Sequence, residues 1–169
     1  MIVVENRLRE IFNTLPQVNI PDANGNPVPY SVSFDWGTIE DLNLWLKQNA
    51  TYPLIWLETG FEETHNSSKE EVSVALSFKI ATSGLKSSLL NQQRIASTFD
   101  LVLFPVLENV RKAFERANTV QLQNTDWKIL KFYNWSTTEG METTQVWDAL
   151  RFDVELIING DCLKNFNYG

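Results

Sequence analysis

Two stretches of strict alternation constrain this chain more than anything else in it. In the first, Val72, Val74, Leu76, Phe78 and Ile80 alternate with Ser73, Ala75, Ser77 and Lys79. In the second, Leu150, Phe152, Val154, Leu156 and Ile158 alternate with Arg151, Asp153 and Glu155. Successive side chains of an extended chain point to opposite sides, so a period of two gives each stretch one apolar and one polar face. Strands that are apolar on one side only belong to antiparallel sheets with one face buried. Burying the five apolar side chains of the first stretch contributes on the order of 1.5–3 kcal/mol each, before chain entropy is set against it.

The first stretch has a partner just before it. Tyr52-Pro53 blocks a helix and leads into Leu54-Ile55-Trp56-Leu57, a short apolar run. The two form an antiparallel pair. Their connection, residues 58–71, is acidic and broken by Gly60. It is too long for a two-residue turn and is expected to project as a flexible loop. The second stretch likewise follows a strand-like segment, residues 127–135, across a polar loop at 136–144. Residues 146–158 are the last strand, and the tail from 159 to 169 is expected to be mobile or ordered by a partner.

Helical spacing marks the cover for these strands. Val4, Leu8, Ile11, Phe12 and Leu15 share one face of a helix over residues 3–15, which Pro16 ends. Thr38 and Asp41 form a shortened capping box for a helix that runs to about residue 49, with Ile39, Leu42, Trp45 and Leu46 on one side. A longer helix spans about 89–117, striped by Ile95, Phe99, Val102, Val106, Val110 and Phe114. Pro105 lies inside it, so a kink near 101–105, or two helices meeting there, is expected. Between the first two helices, residues 17–34 read as an extended segment, one edge strand or an arm reaching a neighbouring subunit. Asn24-Gly25 is its turn signal, and its prolines exclude a central strand. The expectation is a single α+β domain over residues 1–169. It has an antiparallel four-stranded sheet and helices packed on one face, with Val74, Leu76, Phe78, Val154 and Leu156 beneath Phe99, Val102 and Val106.

The residues point to no chemistry of their own. The one histidine, His65, lies in the polar loop, and Cys162 has no neighbour in sequence that would activate it. Asp22, Asn24 and Asn26 have part of a calcium-loop spacing without its distal Glu, and read as a turn. No zinc spacing and no Gly-rich phosphate loop occurs, so no cofactor and no metal are expected and the chain is read as not an enzyme. A formal net charge of −7 argues against gripping nucleic acid, which draws on Lys and Arg. No run approaches a transmembrane length, and the N-terminus lacks a secretory h-region. Six Trp and ten Phe in 169 residues supply core and, at the surface, interface material.

The order of elements resembles that of the tail terminator (tail-completion) proteins of tailed bacteriophages. The likeness rests on an amphipathic first helix and on Tyr52-Pro53-Leu54-Ile55-Trp56-Leu57 followed by Thr59-Gly60. An acidic loop then leads to the alternating strand at 72–80. Next come a helix with the Pro105-Val106 step and a last strand opening on Trp147-Asp148-Ala149-Leu150. It covers roughly residues 53–158 and, more weakly, the first helix. The insert at about 16–49 and the tail at about 159–169 depart from the family pattern. The resemblance implies a structural ring subunit of the virion, usually a hexamer, sited in the tail or the head–tail neck. It implies tail-tube, adaptor or portal-proximal proteins as partners, no specific nucleic-acid binding and no membrane. DNA would pass through such a ring, and the carboxylates expected at its interfaces or lumen are Glu58, Glu62, Glu63, Glu70, Glu71, Glu139 and Glu142. The alternative is a small cytosolic α+β binding or regulatory module without catalysis.

Overall fold

The computed structural model describes residues 2–49, 52–83, 91–135 and 147–160. In chain order the elements are α1 (Val4–Phe12), β1 (Val18–Pro21), β2 (Pro27–Tyr30), β3 (Ser33–Gly37) and α2 (Ile39–Asn49), then β4 (Leu54–Glu58), β5 (Glu63–Asn66) and β6 (Glu71–Ser83). They continue with α3 (Asn91–Arg94), a π-helical stretch (Ile95–Leu103), α4 (Phe104–Arg116), β7 (Val120–Leu122), β8 (Ile129–Trp135) and β9 (Trp147–Asn159).

The two alternating stretches are β6 and β9, and they form the centre of the sheet. All 13 residues of each strand pair antiparallel with the other, from Glu71 opposite Asn159 to Ser83 opposite Trp147. Each long strand carries shorter strands on its outer edge. β4 and β5 follow one another along β6, and β8 and β7 follow one another along β9.

The sheet is not the four-stranded antiparallel one the sequence suggests. It has seven strands and is mixed, because β3 lies parallel to β4 at its margin. The segment read as an extended arm supplies that strand. It also supplies the separate β1–β2 hairpin, whose turn is the Asn24-Gly25 step, with Gly25 at φ 82°. The connection read as a loop contains β5, which folds back on β6. Its four residues are all exposed, so burial left no alternating pattern to read.

One face carries the large core. Val72, Val74, Leu76, Phe78 and Ile80 of β6 meet Leu150, Phe152, Val154, Leu156 and Ile158 of β9 beneath α1, the π-helical stretch and α4. The expected group of Val74, Leu76, Phe78, Val154 and Leu156 is buried there with Phe99 and Val106. Val102 is buried as well. Phe78 is its aromatic hub: its ring stacks on Phe152 at 5.3 Å and meets Phe12 edge-on at 5.7 Å.

The helices do not gather on one face. α2 lies on the other side, where Leu42 packs with Leu54, Trp56, Ala81 and Ala149 in a second, smaller core. β4 explains why. Its run Leu54–Leu57 does not alternate: Ile55 and Leu57 face the large core, Leu54 and Trp56 the small one. An unbroken apolar strand is buried on both sides and needs cover on both. The Thr38–Asp41 capping box forms as the sequence suggests. The Thr38 N–H donates to Asp41 Oδ2 at 2.8 Å, and the Asp41 N–H donates to Thr38 Oγ1 at 3.3 Å. Gly37 makes room for it: a Cβ there would lie 2.6 Å from the Asp41 side chain, at a φ of 152°.

Pro105 marks a change of winding. It stands in the first turn of α4, where its missing N–H interrupts no bond. The chain before it widens into π-helix, so two helical segments meet where the sequence placed the break. Beneath that stretch Thr98 Oγ1 donates to Asp148 Oδ2 at 2.7 Å, and Asp148 is 0% exposed.

Candidate functional site

The structure gathers four of the candidate carboxylates at one end of the sheet. Glu63 opens β5 with Glu62 just before it, and Glu70 and Glu71 lie where the hairpin enters β6. Glu70 sits at φ 52°, the left-handed region that closes the β5–β6 turn. Its carbonyl accepts the Gly160 N–H at 2.9 Å, which ties the hairpin to the end of β9. Glu63 Oε2 lies 2.7 Å from His65 Nε2. That contact orients the imidazole, but the pair is on an exposed strand. Among the described residues no hydroxyl or thiol is bonded to the other ring nitrogen, so the pair lacks the nucleophile that a hydrolytic relay requires.

Glu58 does not belong with them. It lies further along the sheet, beside the small core, where its carboxylate is bonded to Lys79 and lies 3.7 Å from Arg151. Arg151 also reaches Asp153 at 3.4 Å and donates to Ser77 Oγ at 3.1 Å. The polar side of the alternation therefore forms a neutralised ladder across β4, β6 and β9, and Glu58 is spent within it. Glu139, Glu142 and the loop that holds them lie outside the described residues, as do Cys162 and the tail from 161 to 169.

A cavity of about 560 Å³ adjoins the acidic end. The first turn of α1 forms one wall through Ile2, Val3 and Arg7. The other is the β5–β6 hairpin, through His65, Glu71 and Val72. Arg7 reaches Glu10 at 2.6 Å on the same wall. A shallower pocket of about 520 Å³ lies by α2, lined by Trp36, Trp45 and Trp56 with Asp35 and Asp41. Both aspartates have structural work: Asp41 caps α2, and Asp35 accepts the Trp36 N–H at 3.0 Å.

Among the described residues the resolved ionisable perturbations lie away from either cavity. Burial pushes the Tyr52 hydroxyl far above the usual tyrosine range. Backbone N–H groups of the β1–β2 turn, led by Asn26, hold Asp22 below the usual carboxylate range, so the Asp22 motif is a turn as read. On α4, Arg111 beside Glu108 holds that carboxyl low, and Glu108 raises Arg111 in turn. Among the described residues no group of three His, Cys, Asp or Glu is placed to hold a metal ion. No described helix is long and apolar enough to cross a membrane.

Two features had no signal in the reading of the sequence. The tryptophan-lined pocket unites residues from three separate elements. The acidic end arises because β5 turns back, which an all-exposed strand does not announce. No protein-family model and no curated protein matches the chain.

Proposed function

We propose that the chain is a structural ring subunit of a phage tail or head–tail neck, a tail terminator or connector through which DNA passes. One observation carries the reading: the patterns behind the resemblance fold into a single unit. The strand after Tyr52-Pro53, the alternating strand after the acidic connection and the strand opening at Trp147 lie in one sheet. The helix containing Pro105-Val106 covers it.

In this reading the subunit builds a homo-oligomer, a hexamer by the family's habit, and stacks on tail-tube, adaptor or portal-proximal proteins. It works without cofactor and without catalysis, and its place is the virion. The carboxylates at Glu62, Glu63, Glu70 and Glu71 are the surface assigned to subunit contacts and lumen. Like charge between such a wall and phosphate discourages lingering contacts, whereas Lys and Arg would hold the strand by releasing counterions. Salt screens the effect beyond roughly 8 Å, so only groups lining the hole contribute. Glu58, neutralised by Lys79 and Arg151, is not among them.

Size-exclusion chromatography with light scattering, followed by negative-stain imaging, tests the proposal. The expected result is a discrete closed ring, alone or on tail tubes. A species that stays monomeric at every concentration and leaves tubes uncapped overturns it and favours a small binding module.

A further inference from the structure

Two margins of the sheet differ in charge and apolarity. On the β9 side, β8 has no strand on its outer edge among the described residues. Ile129 and Leu130 are 41% and 54% exposed there, and Lys128 and Lys131 flank them. An edge strand that shows apolar side chains and unpaired backbone groups is a template for another strand. On the β6 side, β5 likewise has no outer partner among the described residues. It is exposed throughout and opens on Glu63, directly after Glu62, with the cavity by α1 beside it.

We propose that copies of this chain join head to tail by strand addition, the outer edge of β8 in one copy pairing with the outer edge of β5 in the next. Backbone hydrogen bonds supply the common part of such a contact, and alternate side chains supply its selectivity. Opposite charges on the two edges favour β8 against β5 over β8 against β8 or β5 against β5, since like charges in register repel. Ile129 and Lys131 project from β8 on its helix side, because they pair with Phe152 and Leu150 of the large core. Glu63 and His65 project to the same side of β5, opposite Val74 and Val72. In the antiparallel register that sets Lys131 opposite Glu63, Ile129 falls opposite His65, which lines the cavity. A contact between two different edges is heterologous, and each copy keeps one of each edge free, so it closes into a ring when the rotation permits. The inference rests on the ring reading and names its interface.

The test uses two charge-reversed full-length chains, Glu62→Lys/Glu63→Lys and Lys128→Glu/Lys131→Glu, compared with the unaltered chain by light scattering at matched concentration. Each variant alone is expected to need at least about tenfold more protein to assemble, because like charges then face each other. Mixed in equal amounts they are expected to restore the oligomer as a ring of alternating copies, in which every contact again joins opposite charges. Unimpaired assembly of either variant overturns the proposed interface while the ring reading stands, and so does a mixture that fails to recover. An unaltered chain that neither assembles alone nor caps tail tubes overturns both. If a doubly substituted chain does not fold, Leu130→Asp takes its place. It has to remain folded by circular dichroism and lose the oligomer, and an intact oligomer overturns the interface.

Discussion

The two faces of the sheet share the same pair of long strands and are finished differently. On the helix side every alternate residue of β6 from Val72 to Ile80 is apolar, and the cover extends the whole way. On the other side the character changes along the strand. Ala81 and Ala149 sit under α2, then Lys79 and Arg151 begin a charged ladder, then Ala75 and Ser73 are left open. Both sequences of side chains are compatible with the same backbone. The volume and polarity of a few residues decide where a helix lands: small side chains at 81 and 149 admit α2, and a lysine and an arginine one pair further on exclude it.

The contrast breaks most visibly at Phe78. Its ring touches phenylalanines from α1 and β9, and Phe78→Ala is expected to lose about 3–5 kcal/mol of stability. A chemical-denaturation midpoint that does not move would mean the helix side is not the main source of stability. Leu42→Ala empties the centre of the smaller core and is expected to cost about 2–5 kcal/mol, toward the lower end because fewer neighbours hold the cavity open. Equal losses at the two sites would erase the distinction between main and auxiliary core.

Smaller effects sharpen the boundary. Thr98→Val keeps the shape beside Asp148 and removes its hydroxyl donor, at an expected cost of about 1–3 kcal/mol. The Asp148 carboxylate is fully buried, so thermal denaturation should register the loss; a neutral outcome would show that its other contacts suffice. On the charged ladder, Glu58→Gln should change stability by roughly 0–1 kcal/mol, since these groups are partly in water. A larger change in denaturant titration would make the ladder a structural element rather than a polar surface.

What was legible in the sequence follows from which forces leave a pattern. Long strands with one wet face print a period of two: β9 was placed to within a residue at each end, and β6 to within a residue at its start and three at its end. Proline prints a rule of its own, and the change of winding lies beside Pro105, where two helical segments meet. β5 and β7 left nothing comparable: the first buries no side chain, and the second has three residues. The parallel pairing of β3 with β4 depends on a crossover through α2, which no local pattern encodes. Yet Leu54–Leu57 held a signal that α2 would lie on the far face, because a strand apolar at every position must be covered twice. The acidic site was read as one cluster because its members are close in sequence. The pleat of β4 and the turn of β5 send Glu58 and Glu63 to opposite sides.

The β1–β2 hairpin has a further consequence. Its ladder runs through Val28 opposite Ile20 and Tyr30 opposite Val18, which leaves Pro27 and Pro29 to face outward. Proline has no N–H, so that rim of β2 offers carbonyl oxygens and no donors. An arriving strand could give hydrogen bonds there but receive none, and reciprocal pairing would fail at each proline. Two such hairpins meeting rim to rim would slide past each other rather than zip. The rim thus behaves as a one-way valve for main-chain pairing, and fibre growth by strand addition is discouraged at that point.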